Sequence, residues 1–254
     1  MIVINKESIA DVPVLHIALQ KSFSKPLPLI IFQHGFTSIK ERNLHYAYLL
    51  AEKGFRVILP EANYHGERSK EVTEEFRNRS FWNIVIQSIE EIGAIINEYQ
   101  QKKLIQDDRI GVAGTSMGGM ITFGALTKYP YIKVGVSLMG CPSFLELTKA
   151  QIDYMEKEKK MTFSKEDIKK TFELLKPYDL TLQKEKLHHR PLLFWHSTAD
   201  KVVPYSYTYR FYENIKNMYI NPSENLKFIT DEKAGHAVTQ EGVEASAAWF
   251  YKHL

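Results

Sequence analysis

RIGVAGTSMGGMITFGALTKY, residues 109–129, is the stretch on which the reading of the fold turns. Arg109 to Gly114 is an apolar run of strand length, and Met117 to Lys128 has the length and composition of a helix. Between them Gly114-Thr115-Ser116-Met117-Gly118 has the form G-x-S-x-G. The bare pattern arises by chance in about one chain in ten of this length, so its position between strand and helix carries the weight. In that position the serine occupies a strained strand-to-helix turn, and a Cβ on either flanking glycine would meet the neighbouring strand or helix. The turn lifts Oγ out of the sheet and sets it against the N–H groups and positive dipole end of the helix. Gly119 and Gly124 are expected to let that helix pack closely. Ile110 to Leu126 is also the one stretch that could pass for a membrane span, but it holds five of the chain's thirteen glycines and is bracketed by charge.

Working outward, strand-length apolar runs alternate with longer helical patterns. Strands are expected at Leu29 to Gln33, Arg56 to Pro60, Arg109 to Gly114, Lys133 to Met139, Pro191 to Ser197 and Leu226 to Asp231. Several are apolar on both faces, as parallel strands covered on both sides should be. Helices are expected around Glu41 to Lys53, Glu74 to Gln101, Met117 to Lys128, Tyr205 to Lys216 and Gln240 to Lys252. This order predicts an α/β fold, a doubly wound and mostly parallel sheet, preceded by an antiparallel hairpin from Met1 to Asn5 and Val14 to Gln20. Ser143 to Leu187 breaks the rhythm with 45 charge-rich, mostly helical residues, well beyond an ordinary crossover. It is read as a helical lid inserted over the C-terminal edge of the sheet within a single domain, 1–254. Its mixed charges, Lys157, Lys159 and Lys160 beside Glu156 and Glu158, read as a solvated helix face.

Composition narrows the class. The 254 residues are 44% apolar and 25% charged, enough for a large core in one domain. A net charge of +3 makes no field that would imply nucleic acid or an anionic membrane as partner. A single cysteine excludes an internal disulfide and a cysteine-rich metal site, and fits a reducing cytoplasm. The N-terminal residues have no apolar h-region behind a basic start, so no signal peptide is expected.

A serine hydroxyl is a poor nucleophile at neutral pH and needs a base held by an acid. Asp200 follows the strand ending at Ser197, and His236 follows the strand ending at Asp231, each on the edge where α/β sheets place their sites. The chain order Ser116, Asp200, His236 is the α/β-hydrolase order. Asp179 and Asp231 are weaker acids, the first inside the insertion and the second too near the histidine's own loop. His188, His189 and His196 precede the acid and are disfavoured as bases. Gln33-His34-Gly35-Phe36 follows the first core strand, where a backbone donor is needed, so Phe36 and Met117 are the expected oxyanion-hole N–H groups, with His34 bracing the turn.

These motifs resemble the α/β-hydrolase superfamily. Within it the chain is most similar to small bacterial esterases related to the prolyl oligopeptidase catalytic domain and to dienelactone-hydrolase-like proteins. The resemblance rests on HGF at 34–36, YHGERS at 64–69, GTSMGG at 114–119, DKVVP at 200–204 and GH at 235–236. It implies Ser116 as nucleophile, Asp200 as acid and His236 as base, and a YHGERS loop that brings His65 or Arg68 to the substrate. It implies hydrolysis of a small-molecule ester through an acyl-enzyme with no metal or organic cofactor, a peptidase or amidase and a silent binding protein being the alternatives. Two departures matter. About 28 residues precede the first core strand, too few for the β-propeller of prolyl-peptide-cleaving members. The elbow residue is Ser116, where dienelactone hydrolases carry cysteine, and Cys141 is expected to be a small buried side chain.

Overall fold

The computed structural model describes residues 1–69, 72–158, 162–221 and 223–254. An antiparallel hairpin, β1 (Ile2–Ile9) and β2 (Val12–Leu19), opens the chain. It is longer than expected because Ala10 and Asp11 both adopt positive φ, 50° and 63°, the two-residue turn whose twist matches paired strands. The core elements follow as β3 (Leu27–Gln33), α1 (Leu44–Glu52), β4 (Arg56–Pro60), α2 (Glu74–Arg79), α3 (Phe81–Gln101), β5 (Ile105–Thr115), α4 (Met117–Lys128) and β6 (Val134–Leu138). The insertion contributes α5 (Phe144–Lys157) and α6 (Lys165–Leu175) with short 3-10 turns to Leu187. The chain closes with β7 (Leu192–Ser197), α7 (Tyr205–Ile215), β8 (Leu226–Asp231) and α8 (Gln240–His253).

One eight-stranded sheet runs in the order β1-β2-β4-β3-β5-β6-β7-β8. The pairs from β4 to β8 are parallel, and β2 joins β4 antiparallel. The apolar runs are explained by the two layers they feed. Leu29 and Ile31 of β3 enter the core under α3 and α4, whereas Ile30 and Phe32 enter the one under α1 and α8. The continuous stretch expected from Glu74 to Gln101 divides at Ser80, whose ψ near 0° ends α2 and turns the chain before α3 begins. Lys159 and Lys160 lie outside the described residues. Among the described residues no helix is long and apolar enough to cross a membrane, Ile110 to Leu126 included, since it is shared between β5 and α4.

Candidate active site

β5 runs directly into α4 at Ser116, which takes φ 55° and ψ −114°. A non-glycine residue holds such a conformation only where its surroundings impose it. Here Ser116 N–H donates to the Leu138 carbonyl of β6 at 2.8 Å, and α4 begins at once behind it. The glycines of the elbow are explained by contact. A Cβ on Gly118 would overlap the Gln33 carbonyl oxygen, and one on Gly114 would stand 2.6 Å from the same atom. Both glycines therefore let β5 and α4 close on the end of β3.

The loops after β7 and β8 bring the other two groups to the serine. His236 Nε2 lies 2.9 Å from Ser116 Oγ, and its Nδ1 lies 2.7 Å from Asp200 Oδ2. Asp231 shapes the histidine's loop, since its carboxylate accepts from the N–H groups of Lys233 and Ala234 at 2.7 Å each. Asp200 Oδ1 accepts from Val202 and Val203 N–H at 2.8 and 3.0 Å. Burial by itself would raise the Asp200 carboxyl. Hydrogen bonds from His196, His236 and these two backbone N–H groups outweigh it and hold the group well below the usual carboxylate range. A hydroxyl, an imidazole and an ionised carboxylate so joined can pass the hydroxyl proton to the ring while the carboxylate keeps Nδ1 protonated.

His196, disfavoured as a base from chain order, has a different place. Its ring is fully buried, with Nε2 3.0 Å from the Val203 carbonyl and 3.3 Å from Asp200 Oδ2. It stands behind the carboxylate, on a strand rather than at the serine. Asp179 is spent elsewhere: it accepts from Leu145 N–H at 2.9 Å and Thr181 N–H at 3.0 Å, fastening α5 to the end of the insertion. Cys141 is buried, and burial pushes its thiol up to about 12.

Phe36 lies just past β3, and Met117 is the first residue of α4 directly after Ser116. The peptide unit that carries Phe36 N–H also carries the Gly35 carbonyl, which accepts from His34 Nδ1 at 2.8 Å. On the other edge of that ring Nε2 receives Ala62 N–H at 3.0 Å and lies 3.2 Å from Glu61 Oε1. Glu61 is itself fully buried and paired at 2.9 Å with Nζ of the buried Lys40. Burial would raise the Glu61 carboxyl, but the nearby His34 ring and the hydrogen bond from Lys40 bring it down to about 2. This Lys40–Glu61–His34 chain escaped the sequence reading because its members are distant in sequence and lack a motif. Its one signal was Glu61, a charged residue directly after the apolar run Arg56 to Pro60.

His65 and Arg68 were expected at the substrate, and the structure places both behind the site. The buried His65 ring sits between the carbonyl oxygens of Asn63 and Phe36. Burial, the largest influence, keeps its pKa below the ordinary histidine value. Arg68 makes a two-pronged pair with Glu91 at 2.9 and 2.8 Å and donates to the Glu61 carbonyl. Neither side chain lines the cavity, because the YHGERS loop turns its polar groups inward to hold the segment around Phe36. Glu41, Glu61 and Glu67 approach closely enough to share a cation, and Lys40 Nζ already bonds all three.

Ser116 and His236 open into a cavity of about 700 Å³. Its floor is the sheet edge, with Gly35 and Phe36. Its far wall comes from α3, α5 and α6, including Phe81, Trp82, Ile152 and Ile168.

Residues 42–254 match the prolyl oligopeptidase family. The chain is 49% identical over 255 residues, all of both chains, to YitV of Bacillus subtilis, whose name describes a proposed esterase. It is 31% identical over 254 residues, again all of both, to the esterase YjfP of Escherichia coli. Its fold matches TT1662 of Thermus thermophilus with TM-score 0.77 at 18% identity over the whole of both chains. It also matches the acylaminoacyl peptidase of Pyrococcus horikoshii, with TM-score 0.69 at 20% identity, over 99% of this chain and 40% of that one. The full-length relatives and the family match over most of the sequence agree with the sheet order and the elbow: the chain is an α/β-hydrolase and belongs to the prolyl oligopeptidase family.

Proposed function

We propose that the protein is a serine esterase acting through an acyl-enzyme. Ser116 Oγ attacks the ester carbonyl while His236 Nε2 takes its proton, and Asp200 holds the ring with Nδ1–H toward it. Phe36 and Met117 N–H groups receive the oxyanion, each worth about 10²–10³ in rate by comparison with such donors elsewhere. Collapse expels the alcohol, which leaves with the proton from His236. Water then attacks the acyl-enzyme with His236 again as base, releasing the acid and free Ser116. The segment 143–187 acts as a lid whose two helices roof the acyl-enzyme.

The observation that carries this reading is the unbroken run from Ser116 Oγ to His236 to Asp200, 2.9 and 2.7 Å, at the edge of a cavity. The esterase names of two full-length relatives support it. The test is labelling with a fluorophosphonate followed by mass spectrometry, beside turnover of p-nitrophenyl acetate. A single adduct on Ser116 and turnover abolished in Ser116→Ala are expected. Absence of the adduct, or turnover surviving in the variant, rejects the assignment.

A further inference from the structure

Resting on the esterase reading, we propose that the substrate is an uncharged ester bearing a sizeable apolar group, a medium-length chain or an aromatic ring. That group lies along an aromatic wall beneath α5 and α6. The wall starts beside the serine: Phe36 packs edge-on against Phe81 with ring centroids 5.2 Å apart, and Phe81 against Trp82 at 5.1 Å. Met155, Ile168 and Leu174 face it from the insertion. About 700 Å³ is ample for such a group and far more than an acetyl needs.

The polar groups around this wall argue for the same chemistry. Trp82 Nε1–H is engaged by Gln151 Oε1 at 3.2 Å, and the Thr148 hydroxyl by the Phe144 carbonyl at 2.7 Å. The Thr171 hydroxyl donates to the Asp167 carbonyl at 2.8 Å, within α6. Asp167 is exposed and accepts from Ser164 at 2.7 Å, and Arg79 is paired with Glu75 at 2.9 Å with half of its side chain in solvent. These donors are spent within the wall, Arg79 stands paired at its rim, and the Asp167 carboxylate stands in water with only the Ser164 hydroxyl on it. A polar group laid against the Phe81–Trp82 face would give up water beside donors that are already spent, a penalty that an alkyl or aryl group avoids there.

The experiment measures kcat/KM for p-nitrophenyl esters from acetate to dodecanoate and, in a second arm, for acetates of alcohols of rising length. In one arm kcat/KM should climb by up to about fourfold per methylene and peak well beyond acetate. Ile168→Asp should lower the ratio of octanoate to acetate turnover by about tenfold, and Ile168→Ala should lower it less, so that a misfolded first variant does not end the test. Acetate as the best substrate in both arms, a ratio indifferent to both variants, or an aminoacyl anilide cleaved faster than every ester overturns the proposal. Those results leave the esterase reading standing whenever acetate turnover still depends on Ser116, and loss of that dependence is the separate failure of the reading itself.

Discussion

The floor and the roof of the cavity are built by opposite means. In the floor, polar side chains are buried and held from both sides: Asp200 by two backbone N–H groups and two histidines, and the Gly35–Phe36 peptide by His34, which meets Glu61 and, through it, Lys40. In the roof, α6 buries only Leu175 along eleven residues, and its charged side chains stand in water. The insertion is held through α5, which buries Phe144, Leu147, Thr148 and Ile152 and whose Gln151 accepts from Trp82 Nε1–H, while Asp179 on the amide of Leu145 ties its two ends together. Groups that must meet developing charge need fixed positions, because reorganisation during the reaction would cost what they supply. The outer helix α6 meets no such charge and is left with its polar side chains in water.

The largest effects belong to the floor. Replacing Ser116 with Ala should lower kcat by about 10⁵–10⁶ with little effect on the melting temperature, read by single-turnover kinetics and thermal unfolding. Asp200→Asn should cost about 10⁴ in kcat, because the amide would favour the wrong tautomer of His236. A fall of less than tenfold would show that the ring is held by something other than this carboxylate.

Glu61→Gln probes the floor through stability. Lys40 would keep only its half-exposed partners Glu41 and Glu67, and His34 would lose a charged neighbour. Breaking a buried pair from one side costs roughly 3–5 kcal/mol, to be measured by urea unfolding. The pH dependence has a definite sign. The Glu61 carboxyl is depressed to about 2 in the folded protein, so its contribution is complete above the unfolded value. It is lost as pH falls from about 4.3 toward 2, and amounts to about 3 kcal/mol. Wild type should lose more stability than Glu61→Gln across that window, and parallel curves would remove Glu61 from the account. The smallest effect belongs to the roof: Lys170→Ala breaks an exposed pair with Glu166 and should change stability by less than about 0.5 kcal/mol. A larger loss would mean that the roof is held along its length as the floor is.

How far the sequence carried the reading depends on how local the cause was. The bounds of β4, α4 and β8 agree between sequence and structure, because a short apolar run or a helix that starts at a glycine-flanked elbow is written in consecutive residues. Residues 74–101 were read as one helix and are two, since a turn at Ser80 leaves the apolar period almost undisturbed. The hairpin turn at Ala10 and Asp11 lacks the usual Asn-Gly signal, and its boundaries were correspondingly short.

The site divides along the same line. Ser116 is written in the elbow, where glycines on both sides answer to contacts within one strand-turn-helix unit and its neighbour strand. Asp200 and His236 were readable because each directly follows a strand and because their order is constrained. By contrast, His65 and Arg68 carried a suggestive motif, yet only the packed chain decided that they turn toward Phe36 and Glu91 instead of the cavity. His34 was legible in its motif as a brace for the turn, but its partners Glu61 and Lys40, and His196 behind Asp200, carried no pattern that paired them. Alternation and spacing record which residues must be buried, and so the sheet, the elbow and the chain order of Ser116, Asp200 and His236 are legible in consecutive residues. Which buried polar groups pair with which is set by distances between segments far apart in the chain, and so the partners that hold Asp200 and the Phe36 segment, and the walls of the cavity, emerge only from the packed fold.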